Sequence, residues 1–249
     1  MTGMQTTPGR YVRLGFLYPG YAAEDDYPLL AARAGPHVTA EVVHTSQGED
    51  AHRIDALLDL GSRERLLAGA AVLKERKVHS IVWACTSGSF VFGWRGAREQ
   101  VDVLAQATGV PASSTSLAFV DAVLALGLRR VAVAATYPED VAQCFRAFLE
   151  AGGIEVVHMG HCGILTAREV GALGRARVAH IVQHNNHHRA QAILVPDTAL
   201  HSVAWLEDLE RLARKPVLTA NQVSFWQALR LAGDSHPGTG LGALLEAGV

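Results

Sequence analysis

No charge of one sign dominates this chain. Across 249 residues, 22 Lys and Arg stand against 24 Asp and Glu, a formal net charge of -2. A nucleic-acid surface needs Lys and Arg gathered in a stripe, and here they are scattered, so no nucleic-acid partner is expected. Apolar runs approaching the ~20 residues of a bilayer span are also missing, so no membrane partner is expected. Met1 to Arg10 is polar and lacks the apolar centre of an export signal, which leads to a cytoplasmic expectation. Cysteine is scarce, with only Cys85, Cys144 and Cys162. An odd number at wide spacing argues against a disulfide framework and fits a reducing compartment. No Cys or His spacing suits a metal centre, and neither glycine-rich nucleotide fingerprint occurs in a suitable place. No metal and no nucleotide cofactor are therefore expected.

What the chain does have is a repeating alternation of short apolar runs and amphipathic stretches. Its apolar share of 49% and charged share of 18% are those of a globular protein with one substantial core or two small ones. Strands are expected at Val12 to Tyr18, Val38 to Val43 and Ile81 to Ala84. Helices are expected over Tyr27 to Ala34, Ile54 to Lys77 with a break at Gly61, Arg95 to Thr108 closed by Gly109, and Ser116 to Leu126 stopped by Gly127. Pro111 to Ser114 reads as a loop. The pattern then restarts with strands at Arg130 to Ala135, Ile154 to Met159, Ala192 to Val195 and Pro216 to Thr219. Helices are expected from Pro138 to Ala151, Thr166 to His188, Val203 to Ala213 and Gln222 to Ala232, with a short one after the glycine-rich stretch from Asp234.

The restart comes at a period of roughly 110 residues and reads as an internal duplication. Val12 to Phe16 matches Arg130 to Ala134, the strand before Cys85 matches the strand before Asp197, and Pro111 to Ser116 matches Pro216 to Asn221. The expected architecture is α/β: two pseudo-symmetric Rossmann-like βα halves, each with a mostly parallel sheet and the site in the cleft between them. One half covers 11–115 and the other 116–220, with 221–249 packing back onto the first.

Ligands of open parallel sheets bind outside the carboxyl ends of the strands. Cys85 stands at such an end, followed by Thr86, Ser87, Gly88 and Ser89, whose backbone N–H groups and hydroxyls suit an anion. The alternative is a small buried hydrophobe. Asp197, with Thr198 beside it, stands at the equivalent strand end of the second half, either as a site carboxylate or as the cap of the next helix. Tyr18, Pro19 and Gly20 end the first strand and Tyr137 follows the first strand of the second half, each a candidate for substrate binding or for a packed turn. Glu24 and Asp26 fit a helix start as well as a site. The run His184-Asn185-Asn186-His187-His188-Arg189 reads as a solvated helix end. Cys144 and Cys162 read as packing or surface residues.

Taken together, Tyr18-Pro19-Gly20, Cys85-Thr86-Ser87 with Ser89-Phe90 and Arg95-Gly96, Ala135-Thr136-Tyr137, and Phe225 to Gly233 resemble the aspartate/glutamate racemase superfamily. The branch is that of arylmalonate decarboxylases and maleate cis-trans isomerases. The resemblance implies an enzyme that uses no cofactor and works with cysteine, commonly one thiol per half on either side of a substrate carbon. It places Cys85 at the first-half thiol position and Thr86, Ser87 and Tyr137 in a carboxylate pocket. Asp197 departs from the pattern, since it occupies the second-half cysteine position. Decarboxylases of the branch keep their cysteine there and have glycine in the first half.

The reading that follows is a maleate isomerase-like enzyme acting on a small carboxylate or dicarboxylate, with Cys85 as nucleophile and Asp197 handling the proton. A decarboxylase with Cys85 as proton donor, a small-acid racemase and a non-catalytic small-acid binder are the alternatives. A homo-oligomer is compatible with an apolar helix face over Val203 to Leu212.

Overall fold

The computed structural model describes residues 11–234 and 240–248. The expectations for Met1 to Arg10, and for 235–239 and 249 within the last segment, lie outside those residues. The first half contains β1 (Val12–Pro19), α1 (Asp26–Ala34), β2 (Val38–Thr45), α2 (Ile54–Leu60), α3 (Arg63–Glu75), β3 (Ser80–Trp83), α4 (Ser87–Phe90), α5 (Gly93–Thr108), β4 (Ala112–Ser114) and α6 (Thr115–Ala125). The second contains β5 (Arg130–Ala135), α7 (Glu139–Ala151), β6 (Glu155–His161), α8 (Ala167–Gly171), α9 (Arg175–His184), β7 (Ala192–Val195), a 3-10 turn at Val203–Trp205, α10 (Leu206–Ala213) and β8 (Val217–Thr219). α11 (Ala220–Ala232) and α12 (Ala243–Glu246) follow.

Two four-stranded sheets result, ordered β2-β1-β3-β4 and β6-β5-β7-β8, with every pairing parallel. The second sheet repeats the first strand for strand, so the duplicated α/β architecture is borne out. Inner strands β3 and β7 are buried along their whole length, as parallel strands covered on both faces must be. α6 and α11, the helices that leave the last strand of each sheet, pack against one another, and Thr115 Oγ1 and Ser224 Oγ lie 2.7 Å apart between them. α11 also lies on β1, β3 and β4 of the first sheet.

Local differences from expectation have identifiable causes. The helical stretch expected from Thr166 to His188 is two helices, interrupted at Leu173 and Gly174, and the second ends at His184. Thr166 starts α8 with a capping box to Glu169, and the break comes at Gly174, whose extended backbone makes it the N-cap of α9. Pro138 is the N-cap of α7 rather than its first helical residue. Ala112 to Ser114, read as loop, pairs with β3 as a short edge strand.

One glycine matters for the site. Gly61 closes α2, and a Cβ there would run into the Gly88 carbonyl, the Gln100 amide and Phe92. Gln100 Nε2 donates to both Gly61 O (2.8 Å) and Gly88 O (3.0 Å), tying α2 to α4 and the segment after Cys85. Gly61→Ala is expected to cost about 1–3 kcal/mol through this overpacking. Thermal unfolding should show a Tm lower by about 2–4 °C per kcal/mol in a chain of this size. An unchanged Tm would mean that α2 and α4 yield freely.

Candidate active site

β3 ends at Trp83 and β7 ends at Val195, so Cys85 and Asp197 each stand two residues beyond the same strand of their own sheet. The sheet duplication thus brings the thiol and the carboxylate to equivalent positions, and both line one small cavity of about 40 Å³ between the halves. Tyr18, Pro19, Ser87 and Thr198 line it too. Thr86 and Tyr137 are not among the lining residues, and neither is Gly20. It turns the chain after β1 at φ +64°, and its carbonyl lies 2.6 Å from His44 Nδ1.

Cys85 is 3% exposed. Its sulfur accepts the Gly88 N–H at 3.3 Å and lies 3.9 Å from Ser87 Oγ. Burial pushes the thiol pKa up to about 12; the two donors oppose the shift and the Asp197 charge adds to it. At neutral pH Cys85 is therefore a thiol whose proton must be removed, or given away, in any reaction it performs.

Asp197 is also buried. One carboxylate oxygen accepts from Thr136 Oγ1, and the other accepts the Ala199 N–H at 3.0 Å. Burial raises its pKa, partly offset by His52 and by these hydrogen bonds. The Ala199 bond is a short loop turn. Asp197 does not cap the next regular helix, α10, which begins at Leu206.

The hydroxyls around this pair are spent unevenly. Tyr18 donates to Thr198 O and accepts from Ala23 N, both at 2.9 Å, so its phenol spans the two halves. Tyr137 donates to Pro196 O, and a ligand must displace that carbonyl to receive its proton. Thr86 and Ser87 neighbour the Tyr137 phenol. Thr86 Oγ1 is fully buried with no well-formed hydrogen bond among the described residues. An orphaned buried hydroxyl costs about 1–3 kcal/mol.

The sequence reading missed the loop over the cavity, residues 46–53. Gln47, Glu49, Asp50 and His52 from this loop line the cavity. Its residues carry no periodicity, and its partners lie more than 100 residues away, so only tertiary structure reveals the role. Asp26 belongs to the frame, accepting from Ser202 N and Asn221 Nδ2 across the halves. Glu24 accepts from Ala22 N within its own turn. The core takes Trp83 and Phe90.

Histidines elsewhere form a separate open hollow of about 440 Å³, lined by His158, His161, His180 and His184 with Arg177. His184 is the last residue of α9, as a solvated helix end requires. Among the described residues no three or more His, Cys, Asp or Glu are placed to hold a metal ion. No described helix is long and apolar enough to cross a membrane.

Comparison with known proteins decides the lineage. The model of the arylmalonate decarboxylase family matches residues 54–245. The chain belongs to the arylmalonate decarboxylase family. A curated member of that family, the arylmalonate decarboxylase of Bordetella bronchiseptica, is 31% identical over 163 residues, 62% of this chain and 67% of that protein. Among solved structures, the maleate isomerase Iso of Pseudomonas putida S16 superposes with a TM-score of 0.87 at 21% identity, over 94% of this chain and 98% of that one. A Nocardia farcinica maleate cis-trans isomerase variant with a covalently bound succinylcysteine intermediate gives 0.86 at 21%, over 94% and 98%. A doubly substituted arylmalonate decarboxylase in its liganded form gives 0.84 at 24%, again over 94% and 98%. The resemblance read from the motifs is thus borne out, and the isomerases share the fold of this decarboxylase-family chain.

Proposed function

We propose that this chain is a cofactor-independent isomerase of a small unsaturated dicarboxylate, with Cys85 as nucleophile and Asp197 on the proton-handling side. The observation that carries the reading is the shared cavity: a thiol from one half and a carboxylate from the other line the same small space. In the reaction, the S–H bond breaks as sulfur bonds to one alkene carbon, and the proton passes to the Asp197 side. The π pair moves into the adjoining carboxylate as an enediolate; there Ser87 lines the cavity, Thr86 carries an unbonded hydroxyl, and Tyr137 can donate only after leaving Pro196 O. Rotation about the new single bond follows. The C–S bond then breaks, the double bond re-forms in the trans isomer, and the proton returns to sulfur. The maleate isomerase likeness, including the covalent succinylcysteine described for the Nocardia farcinica protein, supports an addition of this kind.

Decarboxylation is the second reading, favoured by the family match and by the high thiol pKa of Cys85, which suits a proton donor. There the bond to the departing carboxylate breaks and CO2 leaves. The pair stays on carbon as an enediolate, and the Cys85 proton quenches it. The 46–53 loop supplies two more carboxylates, Glu49 and Asp50, to a cavity already holding Asp197. That surround acts alike on maleate and on a malonate, both dianions, and does not separate the two readings.

Incubation with maleate and, separately, with an arylmalonate, followed by NMR, tests the two. Fumarate from maleate without gas supports isomerisation; CO2 from the arylmalonate and no fumarate overturns it in favour of decarboxylation. Tight binding of maleate with no turnover of either compound would make the protein a small-acid binder.

A further inference from the structure

His52 is the one imidazole among the residues lining the Cys85 cavity, and it is 8% exposed. Its loop belongs to the first half, yet its hydrogen bonds go to the second. His52 N–H donates to Leu165 O at 2.7 Å, and the ring Nδ1 lies 2.9 Å from Ile164 O. Asp50 accepts from Ala167 N at 2.8 Å and from Arg168 N at 3.3 Å. Four bonds thus latch residues 46–53 across the cleft onto the segment that enters α8.

The latch fixes the chemistry of the ring. A carbonyl only accepts, so Nδ1 carries the hydrogen and the lone pair of the neutral imidazole is on Nε2. Tyr137 meets the ring edge-on at 5.0 Å and holds its plane. Around it stand Asp50 and Glu49 of its own loop, Asp197 after β7, Cys85 after β3, Tyr137 after β5 and Tyr18 of β1. Arg53 turns outward to pair with Glu49 and Asp55. His52 is thus the only nitrogen base in a ring of acids, and Asp197 feels its charge more than any other.

We propose that His52 and Asp197 form one acid–base pair, with the imidazole taking up and returning the proton that Cys85 releases. The inference rests on the isomerase reading and names the residue that completes it. As sulfur bonds to carbon, the S–H bond breaks and the proton settles on Nε2. The resulting imidazolium shares the cavity with the Asp197 carboxylate, whose own oxygens are occupied by Thr136 and Ala199. When the C–S bond breaks, the same proton goes back to sulfur. An imidazole changes charge between pH 5 and 8, the range in which such a proton must move in both directions.

His52→Asn separates this role from the latch, because the asparagine Nδ2–H can still donate to Ile164 O but cannot titrate. The readout is the rate of Cys85 alkylation by iodoacetamide from pH 5 to 9, followed on the Cys85 peptide by mass spectrometry, beside kcat/KM for maleate. In the wild type, alkylation should rise through an inflection well below the range in which the buried thiol itself ionises. In His52→Asn the inflection should vanish, and both rates at pH 7 should fall by about 10²-fold or more. An Asn variant that keeps the wild-type profile and rate overturns the pair and leaves the isomerase reading standing. A wild type inert toward maleate, yet showing a His52-dependent alkylation profile, supports the pair and removes that reading.

Discussion

Replacing Cys85 by serine is expected to lower kcat/KM by about 10⁴-fold or more while leaving the fold intact. Residues that form the covalent bond act as a unit with their base, and losing one loses nearly all of the chemistry. A serine hydroxyl keeps an acceptor for the Gly88 N–H and stays within reach of Ser87, so the local hydrogen bonding survives. Sulfur is far the better nucleophile toward an activated alkene, and its acidity, though lowered by burial, still exceeds that of an alcohol. Steady-state assay with maleate, beside thermal unfolding, checks the claim. A variant with full turnover and a lowered Tm would return Cys85 to the role of a small core residue. Cys144→Ser, in α7 and half-buried, is the control and should keep full activity.

Asp197→Asn should cost about 10²–10⁴-fold in kcat, the usual worth of a positioned acid–base group. It should also move Cys85. The Asp197 charge pushes the thiol pKa upward, so its removal lets thiolate form at lower pH, and alkylation of Cys85 should begin earlier in a pH titration. Stability should respond with a defined sign. Burial raises the Asp197 pKa above that of a free carboxyl, so the folded state binds this proton more tightly than the unfolded state. The resulting stabilisation is fully present below the free-carboxyl pKa and is lost as pH rises through the raised one. The Asn variant lacks that loss, so its Tm relative to wild type should climb with pH over the same range. Asp197→Ala differs, because it leaves the Thr136 hydroxyl and the Ala199 N–H without acceptors, at about 1–3 kcal/mol each. If Asp197→Asn kept its rate and its Cys85 titration while Asp197→Ala only unfolded earlier, the carboxylate would be structural.

These two residues could be read from the chain because parallel sheets put function at strand ends and the duplication marks equivalent ends. The spacing of Cys85 from Trp83 equals that of Asp197 from Val195, and each strand is short, mostly apolar and buried throughout. Turn residues such as Gly109 and Gly127 placed the neighbouring helix ends for a related reason, since both adopt positive φ. His52 was not legible. It sits in a polar stretch with neither period, and its function depends on Ile164 and Leu165, which approach only when the halves close. The division of 166–188 into two helices was hidden for a different reason: its apolar residues keep a helical spacing through Leu173, and only the extended backbone at Gly174, the N-cap of α9, divides it. Tyr18 and Tyr137 were located correctly at strand ends, but sequence could not show that both phenols already donate to backbone carbonyls.

A crystal structure of the wild-type protein with succinate, the saturated and unreactive relative of maleate, is the most direct test. The account predicts a ligand within residues 46–53, with Cys85 Sγ about 3–3.5 Å from one methylene carbon. Asp197 and His52 should lie on the other face of that carbon, and one carboxylate should rest on the Thr86 and Ser87 hydroxyls. Succinate held elsewhere, or seated in this cavity with Cys85 beyond reach of either methylene, would contradict it.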